Sequence, residues 1–248
     1  DRDYRSRVEY RITDWMAKNM PHARAYTTGS VRFWYNTWYD LAEMGGGSEQ
    51  GLLNPAVQPS TWQLGGSEDA ELGILWLQAL GVDAAIIHDQ TSQEVYKDVV
   101  HPKKFEGRME LAYNDGKGNF IYRTPRRYRA IARVVDTNRL EAIGPLPEEP
   151  SKEQLRQLVD VLEGGPEAPV ETQWMSTEEL RIKARMYAGH TLLVQVPYDS
   201  PWTAASDGKP LSVRQTQMNF MRIDVPEGDQ EVRLVFQKPW ENRIGQVL

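Results

Sequence analysis

From Leu180 onward the chain alternates apolar and polar residues with a regularity that leaves few folds open. Leu180, Ile182, Ala184 and Met186 take every second position, a turn follows at Gly189, and Thr191 to Val196 form another run. Asp207-Gly208-Lys209-Pro210 turns the chain again. Phe220 to Val225 then alternates, and Pro226-Glu227-Gly228-Asp229 leads into Glu231 to Phe236. Successive side chains of a strand point to opposite faces, so this period buries one face and wets the other. Several such strands, divided by Gly, Asp and Pro turns, predict an antiparallel β-sandwich.

The first half has a different character. Val8, Ile12, Trp15 and Met16 recur at helical spacing, and Pro21 stops that helix. Ala23 to Asn36 is rich in β-prone residues, and Gly45 to Ser67 reads as a glycine-rich and polar loop. A second helix is expected to open with Ser67 as its N-cap, with Glu68, Asp69 and Glu71 in the first turn where the macrodipole favours acids. Gly81 ends it and leads straight into an apolar strand, Val82 to His88, which makes an α/β unit. Asn114-Asp115-Gly116-Lys117-Gly118 turns a hairpin spanning Arg108 to Tyr122. Arg127 to Arg133 reads as a strand and its approach. Lys152 to Glu163 is a helix: Ser151 and Gln154 fit a capping box, Leu155, Leu158, Val159 and Leu162 share a face, and Gly164-Gly165-Pro166 ends it. The expected fold class is α+β, with an α/β layer domain over residues 1–122. An antiparallel β-sandwich follows over residues 123–248, with a helical insertion at 151–164.

Composition removes several functions. A net charge of −6 over 248 residues gives no overall electrostatic grip on nucleic acid or anionic lipid. The absence of cysteine excludes disulfides, thiolate zinc sites and a cysteine nucleophile. A bilayer-spanning helix needs roughly 20 consecutive apolar residues, and the best run, Leu72 to Ile87, is broken by Gln78, Gly81 and Asp83. The chain starts at Asp1 without a visible signal peptide, so it is expected to be a processed or excised part of a longer protein whose anchor lies outside it.

No catalytic residue, metal ligand or cofactor motif emerges. Gly45-Gly46-Gly47-Ser48 lacks the spacing and the lysine of a P-loop, and neither a nucleophile elbow nor an H-E-x-x-H motif occurs. His22, His88, His101 and His190 are scattered without metal-ligand spacing. The 35 acidic residues single out no glycosidase-type carboxylate pair. One segment stands out, Val31-Arg-Phe-Trp-Tyr-Asn-Thr-Trp-Tyr-Asp40, followed by the glycine-rich stretch, Asn54 and Trp62. Aromatic rings beside amides and carboxylates can stack on a sugar and bond its hydroxyls. His88 ends an α/β strand, where ligands bind. The candidate ligand site is therefore Trp34, Asn36, Trp38, Asp40, Asn54, Trp62 and His88. The competing reading makes Phe33, Trp34, Tyr35, Trp38 and Tyr39 core residues and His88 an ordinary hydrogen-bonding residue.

These features have an order that resembles a known class. A helix ending in Asn-Met-Pro precedes Ala-Arg-Ala-Tyr-Thr-Thr-Gly-Ser. Trp34, Trp38, Asp40, Gly-Gly-Ser-Glu-Gln-Gly, Asn54 and Trp62 follow, then a helix running into Leu80-Gly-Val-Asp-Ala-Ala-Ile-Ile87. This resembles the soluble C-terminal region of the oligosaccharyltransferase catalytic subunit, which carries a Trp-Trp-Asp-Tyr-Gly motif. Trp34 and Trp38 are not adjacent, and Leu41-Ala42 stands where that family has Tyr-Gly, so acceptor-peptide recognition is not carried over. The later half, from Val196-Pro-Tyr-Asp-Ser-Pro-Trp through Asp207-Gly208, Phe220 to Gly228 and Val232 to Phe236, resembles the sandwich that closes YfhO-type bacterial membrane proteins.

Together the resemblances imply a non-catalytic extracytoplasmic domain of a membrane-embedded glycosyltransferase-like protein that uses lipid-linked sugars. It would be tethered through a preceding transmembrane region and would assist the binding of a glycan or lipid-linked sugar acceptor. Two other readings stay open: a secreted carbohydrate-binding module, and a soluble glycoside hydrolase.

Overall fold

A computed structural model of the chain describes residues 3–45, 54–167 and 169–237. They fall into two units, residues 1–129 with 148–156 and residues 130–147 with 157–248.

In the first unit, α1 (Val8–Asn19) buries Val8, Ile12 and Met16, the face marked by their spacing. The elements β1 (Ala25–Tyr26), α2 (Val31–Trp34), α3 (Val57–Gly66), α4 (Ala70–Ala79), β2 (Ala84–His88), β3 (Glu110–Asn114) and β4 (Asn119–Arg123) follow. They build a sheet of order β1-β2-β4-β3, in which β1 runs parallel to β2 and the other pairs are antiparallel. Every residue of β2 is buried, as its unbroken apolar run requires of an inner strand.

Three local expectations are corrected. The β-prone run from Ala23 to Asn36 yields a strand of only two residues and then α2. Tertiary contacts overrule propensity there. The Thr28 hydroxyl donates to Ile86 O at 2.8 Å, and Gly29 turns the chain at φ 66°. The supposed loop contains α3, which accommodates Pro59 near its start, where a missing N–H costs nothing. Gly65 stays glycine because a Cβ would lie 2.5 Å from Asp98 O. Residues 46–53 of that loop lie outside the described residues. The cap of α4 is Asp69, whose carboxylate accepts Glu71 N and Leu72 N at 3.0 and 3.2 Å, while Ser67 instead accepts Asp69 N.

The second unit contains β5 (Ala132–Asp136), α5 (Thr137–Ala142) and most of α6 (Lys152–Glu163), whose residues as far as Arg156 fall in the first unit. Ser151 and Gln154 close the capping box reciprocally, at 2.9 and 3.2 Å. Next come β6 (Glu171–Ser176), β7 (Glu179–Met186), β8 (His190–Pro197), β9 (Trp202–Ser206), β10 (Lys209–Leu211), β11 (Val213–Gln215), β12 (Phe220–Ile223) and β13 (Gly228–Phe236). They form two antiparallel sheets, β10-β9-β13-β7-β6 and β11-β12-β8-β5. Leu180, Ile182, Val232 and Leu234 from one sheet share a core with Val134, Leu192, Val194 and Ile223 from the other. The α+β class with an antiparallel sandwich is thus the observed architecture. Each large aliphatic in that core contributes about 1.5–3 kcal/mol through burial.

Candidate functional site

The parallel pair β1 and β2 ends in two loops, Thr27 to Ser30 and Asp89 onward. His88 closes β2 with only 2% of its surface exposed. Its Nδ1 lies 2.8 Å from Asn119 Oδ1, which also accepts the Ser92 hydroxyl at 2.6 Å. Asn119 Nδ2 donates to the Asp115 carboxylate at 2.7 Å, which fixes the amide orientation. His88 Nδ1 must therefore carry the hydrogen, and Nε2 is left as a buried acceptor without a partner among the described residues. Burial lowers the imidazole pKa, outweighing the Asn119 bond and the field of Glu94, so the ring is held neutral.

Two buried acids meet beside it. Ser30 Oγ lies 2.9 Å from Glu9 Oε1 and 2.5 Å from Glu94 Oε2. Burial pushes the Glu9 carboxyl up, but bonds from Arg7 (2.7 Å to Oε1) and Ser30 carry it below the usual range. Asp98 accepts Gly29 N at 2.7 Å and faces Arg32 at 3.8 Å. Gly29 is required by more than its φ: a Cβ there would sit 2.5 Å from the Glu94 side chain. Glu43, bonded by the Thr27 hydroxyl, is pushed up to about 7 by burial. These acids brace the loops against one another. That arrangement presents no nucleophile with a base aimed at open space.

The aromatic segment forms a ladder. Trp38 stacks on Tyr4 (5.8 Å, 10°) and on Trp34 (6.0 Å, 19°), and Tyr10 meets Trp38 edge-on at 5.3 Å. The Arg7 guanidinium lies 5.0 Å from the Trp34 ring centre and also grips Glu9, so the ladder connects through Ser30 and Glu94 to the His88 end of β2. The other expected residues do not converge on it. Asn36 is exposed and its Oδ1 accepts Leu41 N at 3.3 Å, and Asp40 is exposed. Asn54 is buried and makes a turn by accepting Ala56 N at 3.0 Å. Trp62 stands 61% exposed on α3. No hydrogen bond or ring contact among the described residues joins Asn54 or Trp62 to the ladder.

A pocket of about 680 Å³ opens immediately past β2. Asp89, Gln90 and Thr91 line it on one side and His101, Lys103 and Lys104 on another. Asp89 accepts the Thr91 hydroxyl at 2.6 Å and its backbone N–H at 2.8 Å, and the hydroxyl bond leads in holding the carboxyl below its ordinary range. Burial brings Lys104 down to about 8 while its Nζ donates to Leu64 O and Ser67 O. Sequence reasoning placed a crevice at this strand end but named only His88. The Asp-Gln-Thr run directly after the strand was the available signal. No group of three or more His, Cys, Asp or Glu side chains among the described residues is arranged to hold a metal.

The second unit defines a class, a two-sheet antiparallel sandwich with a capped helix entering it. Residues 153–246, which cover most of it, match the family model of the bacterial membrane protein YfhO. This supports the YfhO-type resemblance of the later half and associates the chain with a membrane protein of that kind; the match leaves the first 152 residues outside. No helix among the described residues is long and apolar enough to cross a membrane. Neither the curated proteins nor the solved structures contain a match to the chain.

Proposed function

We propose that this chain is a non-catalytic extracytoplasmic part of a membrane-embedded glycosyltransferase-like protein using lipid-linked sugars, and that its first unit assists in binding a glycan or sugar-bearing acceptor. The observation that carries the reading is the pocket past β2. It lies outside the carboxyl end of an inner strand, where open α/β layers bind ligands, and its volume suits a mono- or disaccharide. Asp89, Gln90 and Thr91 offer the acceptors and donors that sugar hydroxyls need, and Lys103 offers a cation to a phosphate linkage. The aromatic ladder is a poorer sugar platform than its sequence suggested, because Trp38 already stacks on two rings. The non-catalytic part of the reading is supported by the acids of the first unit, which are engaged in bracing loops.

Calorimetric titration of the 248-residue chain with neutral disaccharides and sugar 1-phosphates tests this. Binding should be weak, tighter for the phosphates, and reduced about tenfold or more by Gln90→Ala or Lys103→Ala, the loss of one good polar contact. Absence of binding across the panel, or binding unmoved by both substitutions, would remove the pocket from the proposal. Turnover of chromogenic glycosides abolished by a single carboxylate substitution would replace it with the hydrolase reading.

A further inference from the structure

The cavity past β2 holds charges of both signs that leave one another unpaired. Asp89 and Lys103 both line it. The Thr91 hydroxyl leads in holding the Asp89 carboxyl below its ordinary range, and the field of Lys103 adds to that effect, so the two charges are close enough to feel each other. No salt bridge among the described residues joins them or engages either one. Both bonds from Thr91 fall on Asp89 Oδ1, which leaves Oδ2 able to accept from a ligand. Glu68, in the same lining, is exposed, and its carboxylate makes no hydrogen bond or salt bridge among the described residues. Lys104 is committed elsewhere, since its Nζ donates to Leu64 O and Ser67 O near the end of α3. It lends the cavity a positive field, and Lys103 is the lysine left to touch a ligand.

The lining thus sets two carboxylates against two lysines. Opposite charges kept apart in one cavity favour a ligand that presents both signs, because each then meets its complement. A sugar phosphate without an amine carries its negative charge toward Glu68 and Asp89 as well as toward Lys103, and that repulsion discriminates against it. An ammonium on the same ligand turns the repulsion into attraction. Gln90 and Thr91 remain for its hydroxyls.

We infer that the cavity selects a zwitterionic ligand carrying a primary ammonium and a phosphate, with Asp89 and Glu68 receiving the ammonium and Lys103 the phosphate. The inference rests on the reading of this cavity as a ligand site and adds the charge pattern of the ligand to it. Amino-sugar phosphates and phosphoethanolamine head groups share this chemistry.

The test is calorimetric titration of the 248-residue chain at low ionic strength with glucosamine 1-phosphate, its N-acetylated form, glucose 1-phosphate and phosphoethanolamine. Glucosamine 1-phosphate is expected to bind about fivefold more tightly than glucose 1-phosphate or the N-acetylated form, the upper range for an ion pair open to solvent. Asp89→Asn keeps an acceptor for the Thr91 bonds, and in that variant the preference for the amine should vanish. Glu68→Gln, at an exposed side chain without bonds, should reduce the preference about twofold, and circular dichroism melts like that of the parent confirm that both variants fold. Equal binding of glucosamine and glucose 1-phosphates would overturn the inference while leaving the cavity a sugar-phosphate site. A preference that survives in both variants would also overturn it, because the amine would then be recognised by other groups. Binding of none of the four compounds would remove the ligand site itself and the inference with it. Phosphoethanolamine binding as tightly as glucosamine 1-phosphate would support the shared chemistry and assign its source to a lipid head group; weaker binding, with the amine preference intact, would assign it to an amino sugar.

Discussion

Replacing Gly29 by alanine isolates the contact that braces the loops at the head of the sheet. Gly29 sits at φ 66°, and Gly116 in the β3–β4 turn sits at φ 67°. Left-handed backbone costs a residue with a Cβ about 1–2 kcal/mol, so both substitutions carry that penalty. They differ in surroundings. A Cβ at 116 meets nothing within 4 Å, whereas one at 29 lies 2.5 Å from Glu94 Cγ and Cδ and 2.9 Å from its Oε2. Glu94 is buried, so it can yield only by giving up the Ser30 hydroxyl. A hydrogen bond to a charged group is worth about 1.5–3 kcal/mol. Gly29→Ala should therefore cost roughly 3–4 kcal/mol and Gly116→Ala about 1–2 kcal/mol. Hydrogen exchange of the β2 amides reads the opening of the first unit directly, which avoids assuming one transition for two units. Equal losses in the two variants would refute the claim that Glu94 is a load on Gly29, and with it the account of how loop 92–98 is held.

Two further outcomes follow from the same unit. Trp38 is enclosed by Tyr4, Tyr10 and Trp34, so Trp38→Ala should cost about 2–3 kcal/mol in thermal denaturation and Trp34→Ala less than half of that; equal costs would put both rings in the core. Folding favours the protonated form of Glu43, whose carboxyl rises from 4.5 to about 7, so its ionisation makes stability fall as pH climbs through that window and level off above it. Glu43→Gln should flatten that slope in urea titrations across the same window, and an unchanged slope would show the residue ionised in the fold.

The parts of the fold legible in the sequence are those whose signal is local. Alternation placed β7, β8, β12 and β13, and the reciprocal bonds of Ser151 and Gln154 are those of the capping box that started α6. The strand β6, Glu-Thr-Gln-Trp-Met-Ser, was missed because it is an edge strand with every residue but Thr172 exposed to solvent, and it shows no apolar period. α3 was hidden by its two closing glycines, of which Gly65 serves close packing against Asp98 O rather than a loop. His88 was legible as a strand end. Its surroundings were not, because Ser30 reaches Glu9 and Glu94 across 21 and 64 residues, and no local pattern reports such distances. The pocket residues Lys103 and Lys104 look in the sequence like any solvated charge.

The place of β13 in its sheet bears on how the chain comes to fold. It runs antiparallel to β7 over eight residue pairs and to β9 over five, and it stands between them. Until it arrives, the five-stranded sheet is two separate hairpins, β6–β7 and β9–β10, each of a kind that is marginal alone in water. The last described strand is thus the keystone. During synthesis on the ribosome, β7 and β9 wait with open edges while some twenty further residues emerge, which makes the growing chain a client for chaperones. A chain stopped before Gly228 would keep both edges exposed and should aggregate rather than populate a smaller sandwich.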